Sequence, residues 1–169
     1  MKYVNATVGC YKNVEIINDS IASISVPFDR VVSFKSNDKI YIGNFFVVTD
    51  INILGTRKDS PNRDSILDKG NNLSVTIRLT KCDSDENNRR YKDLDVFVID
   101  LEEEKRKNNI HKACFKFLNY KRFTEIEPFA LPLGSGAYVI KVIVSEINKE
   151  GEKGKETIQS MNYLRVLDN

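Results

Sequence analysis

Along this chain, apolar and polar residues exchange places mostly at every second position. Val4, Ala6, Val8 and Cys10 alternate with Tyr3, Asn5, Thr7 and Gly9. Leu73, Val75, Ile77 and Leu79 alternate with Ser74, Thr76, Arg78 and Thr80. Tyr138, Ile140, Val142 and Val144 alternate with a mixed face that carries Lys141 and Ser145. A period of two is the signature of a strand with one face on a core and one toward solvent.

Two stretches are apolar on both faces. Residues 39–54 are long enough for one bent strand or two short ones, with Gly43 as the natural bend. Residues 94–101 read as a more central strand. Shorter candidates lie at 14–17, 21–26, 30–34, 113–118, 123–131 and 157–166. Turn chemistry separates them at Asn18-Asp19, Ser36-Asn37-Asp38 and Gly134-Ser135-Gly136, and residues 148–156 form a hydrophilic hairpin tip.

Helix is scarce. Residues 55–72 hold one helical turn at most, with Ser60 as cap, Pro61 at the first position and Gly70 as stop. Residues 101–109 predict a short helix in which Glu102–Arg106 and Glu103–Lys107 have supporting spacing. Many short strands with turn signals and little helix give an all-β chain: a two-sheet β-sandwich of immunoglobulin-like or jelly-roll type. It has about nine or ten strands and spans 1–169 as one domain.

Composition agrees. The chain has 15 Val and 17 Ile against 11 Leu and 5 Ala, a bias toward side chains that suit a pleated sheet. No run approaches the roughly 20 apolar residues of a membrane helix, so no membrane partner is expected. Cys10, Cys82 and Cys114 are odd in number and contain no CxxC, so buried thiols in a reducing cytoplasm are expected rather than disulfides or a zinc site.

Chemistry-bearing patterns are few. The one histidine, His111, sits among charged and amide residues and reads as structural or exposed. No phosphate loop, no nucleophile elbow and no cofactor motif occurs, so neither catalysis nor a cofactor is expected. The acids cluster at Asp83, Asp85 and Glu86 and at Asp93 and Asp95; Arg89 and Arg90 follow the first cluster and would oppose a cation such as calcium, so a solvated loop is expected. A carboxylate hydrolase and a sugar platform on Tyr11, Tyr41 or Tyr91 are weaker alternatives.

The best non-structural feature is residues 105–123. This run holds Lys105, Arg106, Lys107, Lys112, Lys116, Lys121 and Arg122, interleaved with Phe115, Phe117, Tyr120 and Phe123, and contains no acid. Cations between stacking aromatics suit single-stranded nucleic acid or an anionic protein surface. Phe115 and Phe117 share one strand face and are more simply core, with Lys116 opposite. Net charge is only +2, close to balance for a dedicated nucleic-acid binder. The sequence therefore favours a non-catalytic module that binds another macromolecule, a protein, as a bacterial or phage accessory, inhibitor or assembly subunit. Nucleic-acid binding through 105–123 is the alternative, and a homodimer through paired strand edges stays open.

Overall fold

The computed structural model describes all residues except 2, 18–19, 25–29, 38, 57–63, 83–90, 109–113, 125–128 and 132–133. The described residues form an all-β sandwich. A three-stranded antiparallel sheet has the order β1 (Val4–Tyr11), β6 (Phe45–Leu54), β9 (Cys114–Phe123). A seven-stranded sheet runs β10 (Phe129–Ala130), β5 (Lys39–Ile42), β4 (Arg30–Ser36), β12 (Thr157–Leu167), β11 (Gly136–Ile147), β7 (Asn72–Lys81), β8 (Tyr91–Ile99). Its β12–β4 junction is the one parallel pairing between the described strands. β2 (Val14–Ile17) and β3 (Ser20–Ile24) form a separate hairpin.

The core is the sum of the inward faces that the alternation predicts. Val4, Ala6, Val8 and Cys10 of β1 and Ile51 and Ile53 of β6 meet Leu73, Val75, Ile77 and Leu79 of β7. Tyr138, Ile140, Val142 and Val144 of β11 and Leu164 and Val166 of β12 complete the layer. Each fully buried aliphatic side chain is worth about 1.5–3 kcal/mol, so this interior dominates the stability of the fold.

Residues 39–54 resolve into two strands that belong to different sheets. The break at Gly43 and Asn44 carries the chain from the large sheet to the small one. The left-handed residue is Asn44, at φ 56°, not the glycine; Asn tolerates that region because its short polar side chain bonds locally.

Two expectations need correction. Residues 94–101 are not central: among the described strands, β8 is the edge of the large sheet. Its outward Val96 and Val98 are exposed, so apolarity on both faces did not mean burial on both. The helical turn is α1 (Ile66–Lys69), capped by Ser65, whose Oγ accepts from the Leu67 N–H, and stopped by left-handed Gly70; the expected cap, Ser60, lies outside the described residues. Of 123–131, Phe123 ends β9 and Phe129–Ala130 form β10, while 125–128 lie outside the described residues.

The helix α2 (Leu101–Asn108) forms as its spacing predicts. Lys107 pairs with Glu103 at 2.7 Å, while Arg106 turns back to the Glu102 carbonyl. The hairpin tip 148–156 is closed by the Gly151 N–H to the Asn148 carbonyl and by the Ser145 hydroxyl to the Gly154 carbonyl.

Candidate functional site

Among its described residues, the basic run is spread over α2 and both faces of β9. Lys105, Arg106 and Lys107 lie on α2, at the end of the sandwich where β9 begins. His111 and Lys112 lie outside the described residues. Lys116 and Arg122 point from the outer face of the small sheet, six residues or about 20 Å apart. Lys121 has the opposite strand parity, at the exposed rim. Lys116 is neutralised by Asp50 at 3.0 Å, and Arg122 lies over the Phe46 ring at 5.5 Å. Phe115 is core and Phe117 packs between it and Phe97, as the strand parity predicts.

The acids of 83–90 also lie outside the described residues. Asp93 is bound to Arg78 and Asp95 accepts from the Asn119 amide. No group of three or more His, Cys, Asp or Glu among the described residues is placed to hold a metal ion. Among the thiols only Cys10 is buried; Cys82 and Cys114 are exposed, contrary to the expectation of three buried cysteines.

A different surface stands out: the outer face of the seven-stranded sheet. Strand register defines its levels. Tyr163 of β12, Val139 of β11, Thr80 of β7 and Tyr91 of β8 form one level. The next holds Met161, Lys141, Arg78 and Asp93. Ile158, Ile143, Thr76 and Val96 form the third, and Ser145, Ser74 and Val98 the fourth.

These levels have relief. The middle strands carry small residues, Thr76, Thr80, Ser74 and Ser145, all buried between taller neighbours. The flanking strands carry large exposed ones: Tyr163 is 70% exposed, Met161 63% and Val96 59%. The result is a trough over β7 and β11 between a β12 ridge and a β8 ridge. A cleft of about 290 Å³ lies in it, lined by Arg78, Thr80, Tyr91, Lys141, Ile143, Glu156 and Ile158.

No family model, curated protein or solved structure matches this chain.

Two cations sit in the floor of the trough. Arg78 holds Asp93 through both Nε (2.6 Å) and a terminal nitrogen (3.2 Å), and its guanidinium lies 4.0 Å from the centre of the Tyr91 ring. The hydrogen bonding to Asp93 raises its pKa above the already high value of a guanidinium. This charge is spent internally. Lys141 is different: among the described residues no carboxylate lies within ion-pair distance of its ammonium, and it is half-buried. Glu156, at the mouth, is paired with Lys153 at 3.1 Å.

Sequence reasoning missed this face for a definable reason. Ile158, Met161 and Tyr163 were visible as apolar residues in a strand candidate, and Val96 and Val98 in another. Only the strand order shows that both sets emerge on the same side of one sheet.

Proposed function

We propose that this protein is a non-catalytic β-sandwich module that binds a protein partner through the outer face of its seven-stranded sheet. One observation carries the reading. Seven of the ten large hydrophobic side chains found exposed among the described residues, Val32, Tyr91, Val96, Val98, Ile158, Met161 and Tyr163, belong to that face. A half-buried antiparallel sheet normally presents polar side chains to water, and a contiguous apolar surface marks an interaction site. Side chains of this size, each exposing half or more of its area, present on the order of 600 Å², approaching the roughly 800 Å² per partner of a standard interface.

Apolar ridges with aromatic and Met side chains suit a protein surface better than a phosphate backbone, which needs a line of free cations. An accessory, inhibitory or assembly role is the reading that fits such an open apolar face. Three free thiols fit a reducing compartment such as the cytoplasm. Among the described residues, no helix is long and apolar enough to cross a membrane.

The test is site-specific photocrosslinking in source cells, with the crosslinker at Tyr163 or at Lys116. Protein adducts from Tyr163 that survive nuclease, and none from Lys116, are the expected result. Adducts only from Lys116, or adducts that nuclease removes, would overturn the reading.

A further inference from the structure

We propose that the trough over β7 and β11 takes an acidic amphipathic helix of a partner protein, with a carboxylate on Lys141. This rests on the docking reading above and names the chemistry of the occupant.

Once Arg78 is paired with Asp93 and Glu156 with Lys153, the floor retains the charge of Lys141. That ammonium sits midway along the trough. Apolar levels lie on both sides of it, Tyr163 and Val139 on one and Ile158 and Ile143 on the other. Arg165, two levels toward the start of β11, is exposed and likewise has no ion-pair partner among the described residues. The face thus presents two such cations on adjacent strands, two levels apart. A ligand that buries this surface without an acid would strand Lys141 in a dry contact, which is strongly unfavourable unless a carboxylate meets it.

The conformation follows from hydrogen bonding. A sheet donates and accepts along its edges, not through its face. An extended segment laid on this face would leave its own N–H and C=O groups without partners as water is excluded. A helix satisfies its backbone internally and offers only side chains. The dimensions agree. Between the β12 and β8 ridges lie three interstrand spacings, about 14 Å, against a helix diameter of about 10–12 Å. Lys141 and the level of Arg165 are separated by four strand residues, about 13 Å. Eight helical residues rise about 12 Å. The partner helix therefore carries acids seven or eight residues apart, with apolar side chains between them for the ridges.

The experiment uses the full chain as bait for a phage-displayed library of random 16-residue peptides. Selected peptides are expected to be enriched in Asp or Glu flanked by apolar residues at helical spacing. Selection on Lys141→Glu is expected to exchange those acids for Lys or Arg. A synthetic winner is expected to lose at least about tenfold in affinity for Lys141→Glu and to be partly rescued by a peptide with its central acid changed to Lys. Lys141 lies on the outer face of the sheet and outside the core, so circular dichroism and melting temperature of the variant should match the parent. No selected peptides, winners without acids, or the same winners on Lys141→Glu would overturn the proposal. The crosslinking result separates the two claims: protein adducts at Tyr163 with any of these outcomes leave the docking face standing and remove only the acidic helix.

Discussion

Cys10 faces the core from β1, and burial pushes its thiol from an ordinary 9.0 up to about 12. At pH 8 only about one such thiol in ten thousand is thiolate, the reactive form. Cys82 and Cys114 are exposed. A thiol reagent added to native protein is therefore expected to titrate two groups quickly and the third only after denaturant is added. Three fast thiols would contradict the burial of Cys10. The same shift links stability to alkaline pH. The unfolded chain sheds this proton from about pH 9 and the folded protein only near 12, so the folded state loses stability as pH rises between the two. The slope is at most about 1.4 kcal/mol per pH unit, readable as a falling urea midpoint. Tyr138 makes a second residue-scale point. It is fully buried and its hydroxyl donates to the Gly134 carbonyl, tying the turn before β11 to the core. Tyr138→Phe is expected to cost about 1–2 kcal/mol in chemical denaturation by orphaning that bond. An unchanged midpoint would show that the tie contributes nothing.

At the scale of elements, the alternation in β1, β7 and β11 was legible because one face of each is core and the other is not. The helix α2 was legible from its acid-to-base order. The reading of β8 failed for a physical reason: apolar side chains on both faces describe a central strand and an edge strand with an open face equally well. The cap of α1 also escaped, because Ser60 and Ser65 are both serines before a helical turn. What selects Ser65 is tertiary: it is fully buried, and its hydroxyl donates to the Leu54 carbonyl while accepting from the Leu67 N–H. Ser65→Ala removes both bonds, and a loss of about 1–2 kcal/mol is expected in thermal or urea unfolding. The bend between β5 and β6 gives a sharper test. Asn44→Gly keeps the left-handed backbone accessible and should leave stability within a few tenths of a kcal/mol. Asn44→Val forces a β-branched residue into it and should cost about 1–2 kcal/mol. Equal stabilities of the two variants would show that the crossing between sheets does not need that conformation.

At the scale of the molecule, the sandwich was legible and the candidate face was not, because a face is a property of strand order. The order also places the last strand in the middle of the large sheet. β12 pairs with β11 on one side and with β4 on the other, supplies Leu164 and Val166 to the core, and accepts the Ser33 hydroxyl at the Leu167 carbonyl from 134 residues away. It also reaches across the sandwich, where the Asn162 amide donates to the Val8 carbonyl of β1. The large sheet cannot then be complete before the end of the chain is in place, and the small sheet shares its core. A chain truncated after residue 154 would expose the edges of β4 and β11 and open the interior. It is expected to show no cooperative unfolding transition and poorly dispersed amide resonances. Adding a peptide of residues 155–169 should restore both, since the missing strand has pairing partners on each side. In the full chain, backbone circular dichroism and tyrosine fluorescence should report one coincident urea midpoint. A truncated chain that still melts cooperatively, or separate midpoints in the full one, would mean that part of the sandwich is stable without its central strand.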